Sequence, residues 1–141
     1  MTSIDLTRDL LDNLKKAIEF TSKDEYRPVL NGVLFELDGN VKLVATDGYI
    51  LTELKNVSVV SEDSKGKTFE PFILSIEDVK TLINSTKGIL KGINLIGTIE
   101  IVKGKEDSRT KIGVKTPLLS LEFLAVEGEF PKYRELVIGK A

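Results

Sequence analysis

The 141-residue sequence contains no cysteine and no histidine. Without cysteine the chain has no disulfide framework and no thiolate zinc site, and a reducing compartment is expected. Without histidine it lacks the commonest general base and the commonest metal ligand of proteins. The glycines between Gly97 and Gly104 do not form a phosphate loop, because no Gly-Lys-Ser/Thr ending follows them. We therefore expect a protein that is not an enzyme and that holds no metal or cofactor.

Long apolar runs and a strongly basic composition are missing as well. No apolar stretch approaches the roughly 20 residues that cross a bilayer, and the polar segment 1–10 does not resemble a signal peptide. We therefore expect a cytoplasmic protein without a membrane partner. The net charge is −2, whereas a generically basic DNA-binding domain has a pI above about 9. Any contact with DNA needs a local basic face or a larger assembly.

Hydrophobic residues make up 41% of the chain and charged residues 30%, a mixture that supports one buried core and a polar surface. The length is that of one ordinary domain. No linker or low-complexity tract divides the sequence, so a single domain is predicted over residues 1–141.

Two amphipathic helices are predicted. Thr7 can cap a helix that runs from Arg8 to about Phe20, with an apolar stripe at helical spacing: Leu10, Leu11, Leu14, Ala17 and Ile18. Ser75 can cap a second helix that ends before Gly88, with Asp78 at the capping-box position. Its apolar stripe is Ile76, Val79, Leu82 and Ile83.

The remaining sequence favours extended structure. Strands are predicted at 3–6, 29–37, 41–46, 49–60, 69–74, 89–96, 98–103, 109–115 and 118–126, with a terminal extended segment at 130–138. Turns are expected at 38–40, 47–48, 97 and 116–117. Each helix is preceded by one strand and followed by several, and the two caps lie about 68 positions apart. This order predicts an α+β domain with an internal strand-helix-strands duplication and two helices packed on antiparallel sheets.

Three segments carry a resemblance to a known family. They are 27–36 (RPVLNGVLFE), 43–51 (LVATDGYIL) and 127–138 (EGEFPKYRELVI). In this order they resemble the motifs of bacterial DNA sliding clamps, the β subunit of DNA polymerase III, and 72–75 (FILS) matches the family's entry to its second helix. The resemblance covers nearly the whole of this chain. It covers only one of the three domains of a clamp subunit, and the middle domain is the most similar. Met1 leads directly into the first strand, which favours a natural single-domain relative, encoded by a phage or mobile element, over an excised piece.

The resemblance implies the DNA-clamp fold and a role as a processivity factor in DNA replication. Clamp domains join by their sheet edges into a ring of six around duplex DNA, so copies of this chain are expected to self-associate or to assemble with further clamp domains. The family also docks replication proteins through a short extended peptide. Carried over by position, the wall of that peptide pocket consists of Leu30, Thr46, Gly48, Tyr49, Ile50, Leu51, Pro131, Glu135 and Leu136.

Two pocket positions depart from the family pattern. Ile50 stands where the family usually has arginine, and Glu135 stands where a basic residue is common. Both changes remove positive charge and hydrogen-bond donors, so an anionic peptide is expected to bind less well.

The DNA-facing residues that the resemblance implies are the cations on or near the two helices: Arg8, Lys15, Lys16, Lys23, Lys80 and Lys87. Acidic residues are interleaved with them, and segment 76–80 is acidic where the family tends to be basic. An ordinary solvated helix face is the alternative interpretation of these cations.

Other residues have simple structural interpretations. Asp47 precedes a glycine and is expected to shape a hairpin turn rather than to catalyse. Glu127, Glu129 and Glu135 fit a solvated face better than an acid–base pair. Tyr133 is expected to be a core or sheet residue. Tyr49 is either a core or sheet residue or a binding residue.

Two functions of different kind remain open from the sequence. The first is a clamp subunit that contributes to a ring around DNA. The second is a clamp-like interaction module that forms no ring and that binds or mimics the host clamp and redirects its partners. Self-association discriminates between the two.

Overall fold

A computed structural model describes residues 1–21, 31–105, 109–128 and 130 of the protein. Its elements follow in the order β1 (Thr2–Thr7), α1 (Arg8–Ile18), β2 (Gly32–Asp38), β3 (Asn40–Thr46), β4 (Leu51–Ser58), β5 (Phe72–Ser75), α2 (Ile76–Ser85), β6 (Leu95–Val102), β7 (Lys111–Lys115) and β8 (Ser120–Leu124). One turn of 3₁₀ helix at Glu62–Ser64 lies in the connection between β4 and β5. The predicted α+β class and the duplicated element order are confirmed.

Both helices begin where their caps predict. The hydroxyl of Thr7 accepts a 3.0 Å hydrogen bond from the amide of Leu10, and the hydroxyl of Ser75 accepts a 3.1 Å hydrogen bond from the amide of Asp78. Each bond satisfies one of the free amides of a helix N-terminus and stabilises the helix by roughly 1 kcal/mol. The first helix is shorter than predicted, because α1 ends at Ile18 and not at about Phe20.

The strands form two four-stranded antiparallel sheets that exchange strands between the two halves of the chain. Sheet I has the order β1-β6-β7-β8, and sheet II has the order β4-β3-β2-β5. The first strand of each half therefore lies in the sheet that the other half builds. This exchange ties the halves together through backbone hydrogen bonds and makes the duplication one folding unit.

One core joins both sheets and both helices. Leu10 and Leu14 of α1 and Val79 and Leu82 of α2 are buried in the same cluster as the inward side chains of the strands. Phe35 and Phe72 stack within it, with ring centroids 4.8 Å apart. Removing these apolar side chains from water is the main term that favours the fold.

The last segment of each half covers the outer edge of that half's first strand. The amide of Asp5 in β1 donates to the carbonyl oxygen of Val59 at 2.9 Å, and the amide of Val126 donates to the carbonyl oxygen of Ile73 in β5 at 2.8 Å. Within the described residues, β4 and β8 are the edge strands whose outer side no further segment covers.

The strand prediction for the second half needs one main correction. Two strands were expected at 89–96 and 98–103 with a turn at Gly97, whereas residues 89–94 lie outside any strand and Gly97 lies inside the continuous strand β6. A Cβ atom on Gly97 would lie 2.1 Å from the carbonyl oxygen of Lys115. The glycine therefore marks a close approach of β6 to β7 and not a turn.

Two smaller corrections concern the strand bounds. The extended segment expected at 49–60 is limited to β4, Leu51–Ser58. The start of the strand expected at 29–37 and most of the segment expected at 130–138 lie outside the described residues.

Candidate functional site

The turn between β3 and β4 is held by a dense set of hydrogen bonds. The hydroxyl of Thr46 donates to the carbonyl oxygen of Ile50 at 2.7 Å and accepts from the amide of Gly48 at 3.0 Å. The carboxylate of Asp47 accepts from the amides of Tyr49 and Ile50 at 2.8 and 2.9 Å. Gly48 has a φ of +99°, a conformation that glycine adopts at little cost. The segment 46–50, which we call the docking turn, is therefore a well-determined loop.

The Asp47 carboxylate belongs to the structure of the docking turn. Hydrogen bonds from the amides of Ile50 and then Tyr49 lower the pKa of the Asp47 carboxyl below its ordinary value of 3.8. The group is ionised at neutral pH and its acceptor oxygen is used by the turn. The expectation of a turn aspartate at this position agrees with these contacts.

The docking turn exposes two large apolar side chains. Tyr49 is 92% exposed and Ile50 is 57% exposed, while Thr46 beneath them is buried. A rigid turn loses little conformational entropy when it binds a partner, and a protruding aromatic side chain is a frequent anchor at interfaces. The arrangement suits contact with another molecule.

An apolar cluster lies next to this turn on the outer face of sheet II, the face turned away from the helices. Leu34, Val44 and Ile73 are buried there in a group separate from the main core. Leu51, Val126 and Phe130 pack against the three residues, and we call all six the outer cluster. Leu51 pairs with Thr46 across the strands, so the outer cluster and the docking turn form one continuous surface.

The other half of this outer face is charged. Lys42 of β3 is almost completely buried, and its Nζ lies 3.3 Å from Glu36, 3.6 Å from Asp38 and 3.7 Å from Glu53. A buried lysine is costly unless carboxylates surround it, and here three of them do. The outer face of sheet II is thus divided into an apolar half beside the docking turn and a charged half beyond it.

The structure brings together the described part of the predicted pocket. Thr46, Gly48, Tyr49, Ile50 and Leu51 share the docking turn and its exit into β4. The other predicted wall residues, Leu30, Pro131, Glu135 and Leu136, lie outside the described residues.

Sequence reasoning missed Leu34, Val44, Ile73, Val126 and Phe130. A usable signal existed in the uninterrupted apolar runs 33–35 and 43–45, because a strand that is apolar at successive positions is covered on both faces.

The second half of the chain contains a related turn. The hydroxyl of Thr116 accepts from the amide of Leu119 at 3.1 Å, and Leu118 at its tip is 75% exposed. The outer face of sheet I next to it carries polar and charged residues, among them Glu100, Lys111 and Glu122. The second turn therefore lacks the apolar cluster that accompanies the docking turn.

The cations predicted to face DNA have different surroundings. The Arg8 guanidinium donates to the carbonyl oxygens of Ile89 and Ile93 and ties α1 to the connection before β6. Lys15, Lys16, Lys80 and Lys87 are exposed. Four anions of the same helices and their ends are exposed as well: Asp9, Asp12, Glu19 and Glu77. Lys23 lies outside the described residues. Among the described residues of the two helices and their ends, the exposed charges balance, so this part of the chain offers no net positive face.

Within the described ranges, no group of three or more acidic, histidine or cysteine side chains could hold a metal ion. No helix in this part of the chain is long and apolar enough to cross a membrane.

Comparison with known proteins identifies the fold. No protein-family model matches the chain, and no curated protein sequence matches it. Among solved structures, the sliding clamp of Pseudomonas aeruginosa bound to griselimycin superposes with a TM-score of 0.69 at 21% identity over 94% of this chain and 33% of that one. The DNA polymerase III β subunit of Thermotoga maritima superposes with a TM-score of 0.68 at 24% identity, over 97% of this chain and 34% of that one. The clamp of Bacillus subtilis superposes with a TM-score of 0.69 at 18% identity, over 96% of this chain and 32% of that one.

The chain therefore has the fold of a bacterial DNA sliding clamp. It spans about a third of the length of the clamp chains that it matches, so it corresponds to one clamp domain.

Proposed function

We propose that the chain is a non-enzymatic sliding-clamp domain that joins further clamp domains edge to edge and docks replication proteins on the surface of the docking turn. The observation that carries this proposal is the juxtaposition of a rigid turn exposing Tyr49 and Ile50 with the outer cluster, on a domain of clamp fold. The domain resembles the middle domain of a clamp subunit, and it acts in the cytoplasm as a processivity factor.

The docked partner is a short extended peptide of a replication protein. Leu51 and the exposed side of the outer cluster supply apolar area, which contributes roughly 25 cal/mol for each Å2 removed from water. The family resemblance assigns Leu30, Pro131, Glu135 and Leu136, which lie outside the described residues, to the same wall. A neighbouring clamp domain supplies the opposite wall.

Assembly uses the outer edges of β4 and β8, which no other segment covers within the described residues. An exposed edge is a template for another strand and is a liability when it stays unpaired. An antiparallel pairing that places Leu54 of one copy opposite Phe123 of the next also places Lys55 opposite Glu122. Leu54 and Phe123 both contact the main core, and Lys55 and Glu122 are exposed and opposite in charge. The edges are therefore complementary in polarity and charge.

DNA is held inside the ring by topology and not by strong contacts. In the described part of the helix layer, exposed anions are as many as exposed cations, which fits a surface that duplex DNA passes without tight binding. Arg8, Lys15, Lys16, Lys23, Lys80 and Lys87 are the residues that would approach the phosphates.

The same charge balance supports a second candidate function. A clamp-like module that forms no ring and redirects the partners of a host clamp would need the docking turn but no positive helix layer. Such a module is a monomer or a small oligomer that does not retain DNA topologically, whereas a ring subunit associates into a closed assembly.

The docking function is tested by titrating the purified chain into a fluorescently labelled peptide with a leucine and phenylalanine core and measuring anisotropy. Saturable binding that Leu51→Asp weakens is the expected result. The absence of binding at concentrations up to the millimolar range contradicts docking at this surface.

A further inference from the structure

The division of the outer face of sheet II suggests which peptides the docking surface accepts. The apolar half next to the docking turn consists of the outer cluster, with Leu34 directly opposite Val44 and Ile73. The charged half begins at Glu53, which is paired with Val44 across the strands, and continues to Glu36, Lys42 and Asp38. A ligand long enough to cover the apolar half therefore reaches carboxylates at the side of that half that lies away from the docking turn.

Among the described residues, the charges at this boundary are predominantly negative. One lysine, Lys42, lies among three carboxylates, and that lysine is buried with 4% of its side chain exposed. Two of the carboxylates face solvent, since the side chain of Asp38 is 60% exposed and that of Glu53 is 26% exposed. A ligand approaching from outside meets the carboxylates and not the buried ammonium group.

The docking turn does not compensate for this charge. The turn contains no lysine or arginine, its one carboxylate is that of Asp47, and the side chain of Ile50 has no hydrogen-bond donor. An acidic peptide thus meets no cation on the turn, and it meets carboxylates beyond the outer cluster. A basic residue next to the apolar anchors would instead lie beside Glu53 and Asp38.

We infer that the surface selects peptides whose apolar anchors are flanked by lysine or arginine, and that Glu53 and Asp38 are the residues that determine this selectivity. The inference rests on the proposed docking function. Because both carboxylates are partly solvated, the contribution of each pair is that of a surface ion pair, which corresponds to about a two- to fivefold change in affinity.

The test uses two synthetic peptides with the same leucine and phenylalanine core, one flanked by lysines and one by glutamates, titrated at low ionic strength. We expect the lysine peptide to bind about two- to fivefold more tightly, and the preference to shrink as salt screens the charges. Glu53→Lys should abolish or invert the preference. Asp38→Asn, at the more exposed position, should reduce it and is not expected to disturb the fold.

Glu77→Gln is the matched control, because it removes one exposed carboxylate from the helix layer and should leave the preference unchanged. Equal affinities of the two peptides, or tighter binding of the glutamate peptide, overturn the selectivity while docking itself stands. Failure of both peptides to bind overturns docking and the selectivity together.

Discussion

The side chain of Thr46 closes the docking turn on itself, since its hydroxyl donates a 2.7 Å hydrogen bond to the carbonyl oxygen of Ile50. The threonine is buried, while the isoleucine four residues later is exposed at the tip of the turn. The buried contact thereby fixes the position of the exposed side chains through which the chain is proposed to bind its partners.

Thr46→Val should loosen the docking turn and weaken peptide binding. Valine keeps the shape of threonine but removes the hydroxyl's hydrogen bonds to the carbonyl oxygen of Ile50 and from the amide of Gly48. Each such bond contributes about 0.5–1.5 kcal/mol. Urea unfolding and peptide anisotropy measure the two effects. Thr116→Val is the control, because Thr116 closes the related turn of the second half. It should lower stability and leave the peptide affinity unchanged; an equal loss of affinity in both variants would contradict a specific role of the docking turn.

Asp47 gives the docking turn a defined pH dependence. The amides of Ile50 and Tyr49 lower the pKa of its carboxyl below 3.8. A pKa that is lower in the folded state contributes stability above the unfolded-state pKa, and this contribution is lost as the pH falls through the folded-state pKa. The stability that this carboxylate gives the turn should therefore be complete at neutral pH and should be lost as the pH falls below 3.8 and through the folded-state pKa. Carboxyl NMR titration measures the pKa, and a value at or above 3.8 would show that these hydrogen bonds are not formed.

Leu51→Asp should reduce peptide affinity strongly and overall stability moderately. Leu51 packs on the outer cluster beside the docking turn, and a carboxylate there would be buried under the bound peptide. The expected loss is about tenfold or more, corresponding to roughly 1.4 kcal/mol. Val102→Asp introduces the same charge at an exposed position at the end of β6 in the other sheet. That control should bind like the unaltered chain, and equal binding by Leu51→Asp would exclude Leu51 from the site.

Gly97→Ala should destabilise the domain, because its Cβ atom would lie 2.1 Å from the carbonyl oxygen of Lys115. Backbone atoms of two paired strands cannot yield as a flexible side chain does, so we expect a cost of about 1–3 kcal/mol or more in the free energy of unfolding. Gly113→Ala in the neighbouring strand is the control, since its Cβ atom would find its nearest neighbour at 3.7 Å. Similar midpoints of urea unfolding for the two variants would contradict the close approach.

The contrast between Thr7 and Gly97 shows which parts of the fold could be predicted from the sequence. Thr7 and Ser75 cap their helices through bonds to residues three positions away, so local spacing is sufficient to predict them. The role of Gly97 depends on Lys115, which approaches it from another strand. Local pattern suggested a turn there, and the strand pairing was needed to correct it.

The candidate site was predictable to a similar extent. Thr46 to Leu51 are contiguous, and their resemblance to a known motif was sufficient to locate the docking turn. The outer cluster joins Leu34, Val44 and Ile73 from three strands, which only the sheet register brings together. The burial of Lys42 among carboxylates was not predictable, since lysine is usually exposed.

The pairing proposed between the β4 and β8 edges makes a charge-reversal test possible. Lys55→Glu and Glu122→Lys should each weaken self-association, because each places like charges opposite one another. The double variant restores an opposite pair and should recover the association of the unaltered chain. The register is wrong if the double variant associates no better than the single ones.

The solution mass, measured by light scattering from micromolar to about millimolar concentrations, tests the proposed clamp function most directly. A ring predicts a concentration-independent plateau at a closed assembly, about six times the 15.6 kDa of one chain when copies of the chain alone form it. Lys55→Glu should shift the mass toward that of the monomer. A mass of 15.6 kDa at every concentration would contradict assembly of copies of this chain into a ring and would favour the clamp-like module that forms no ring.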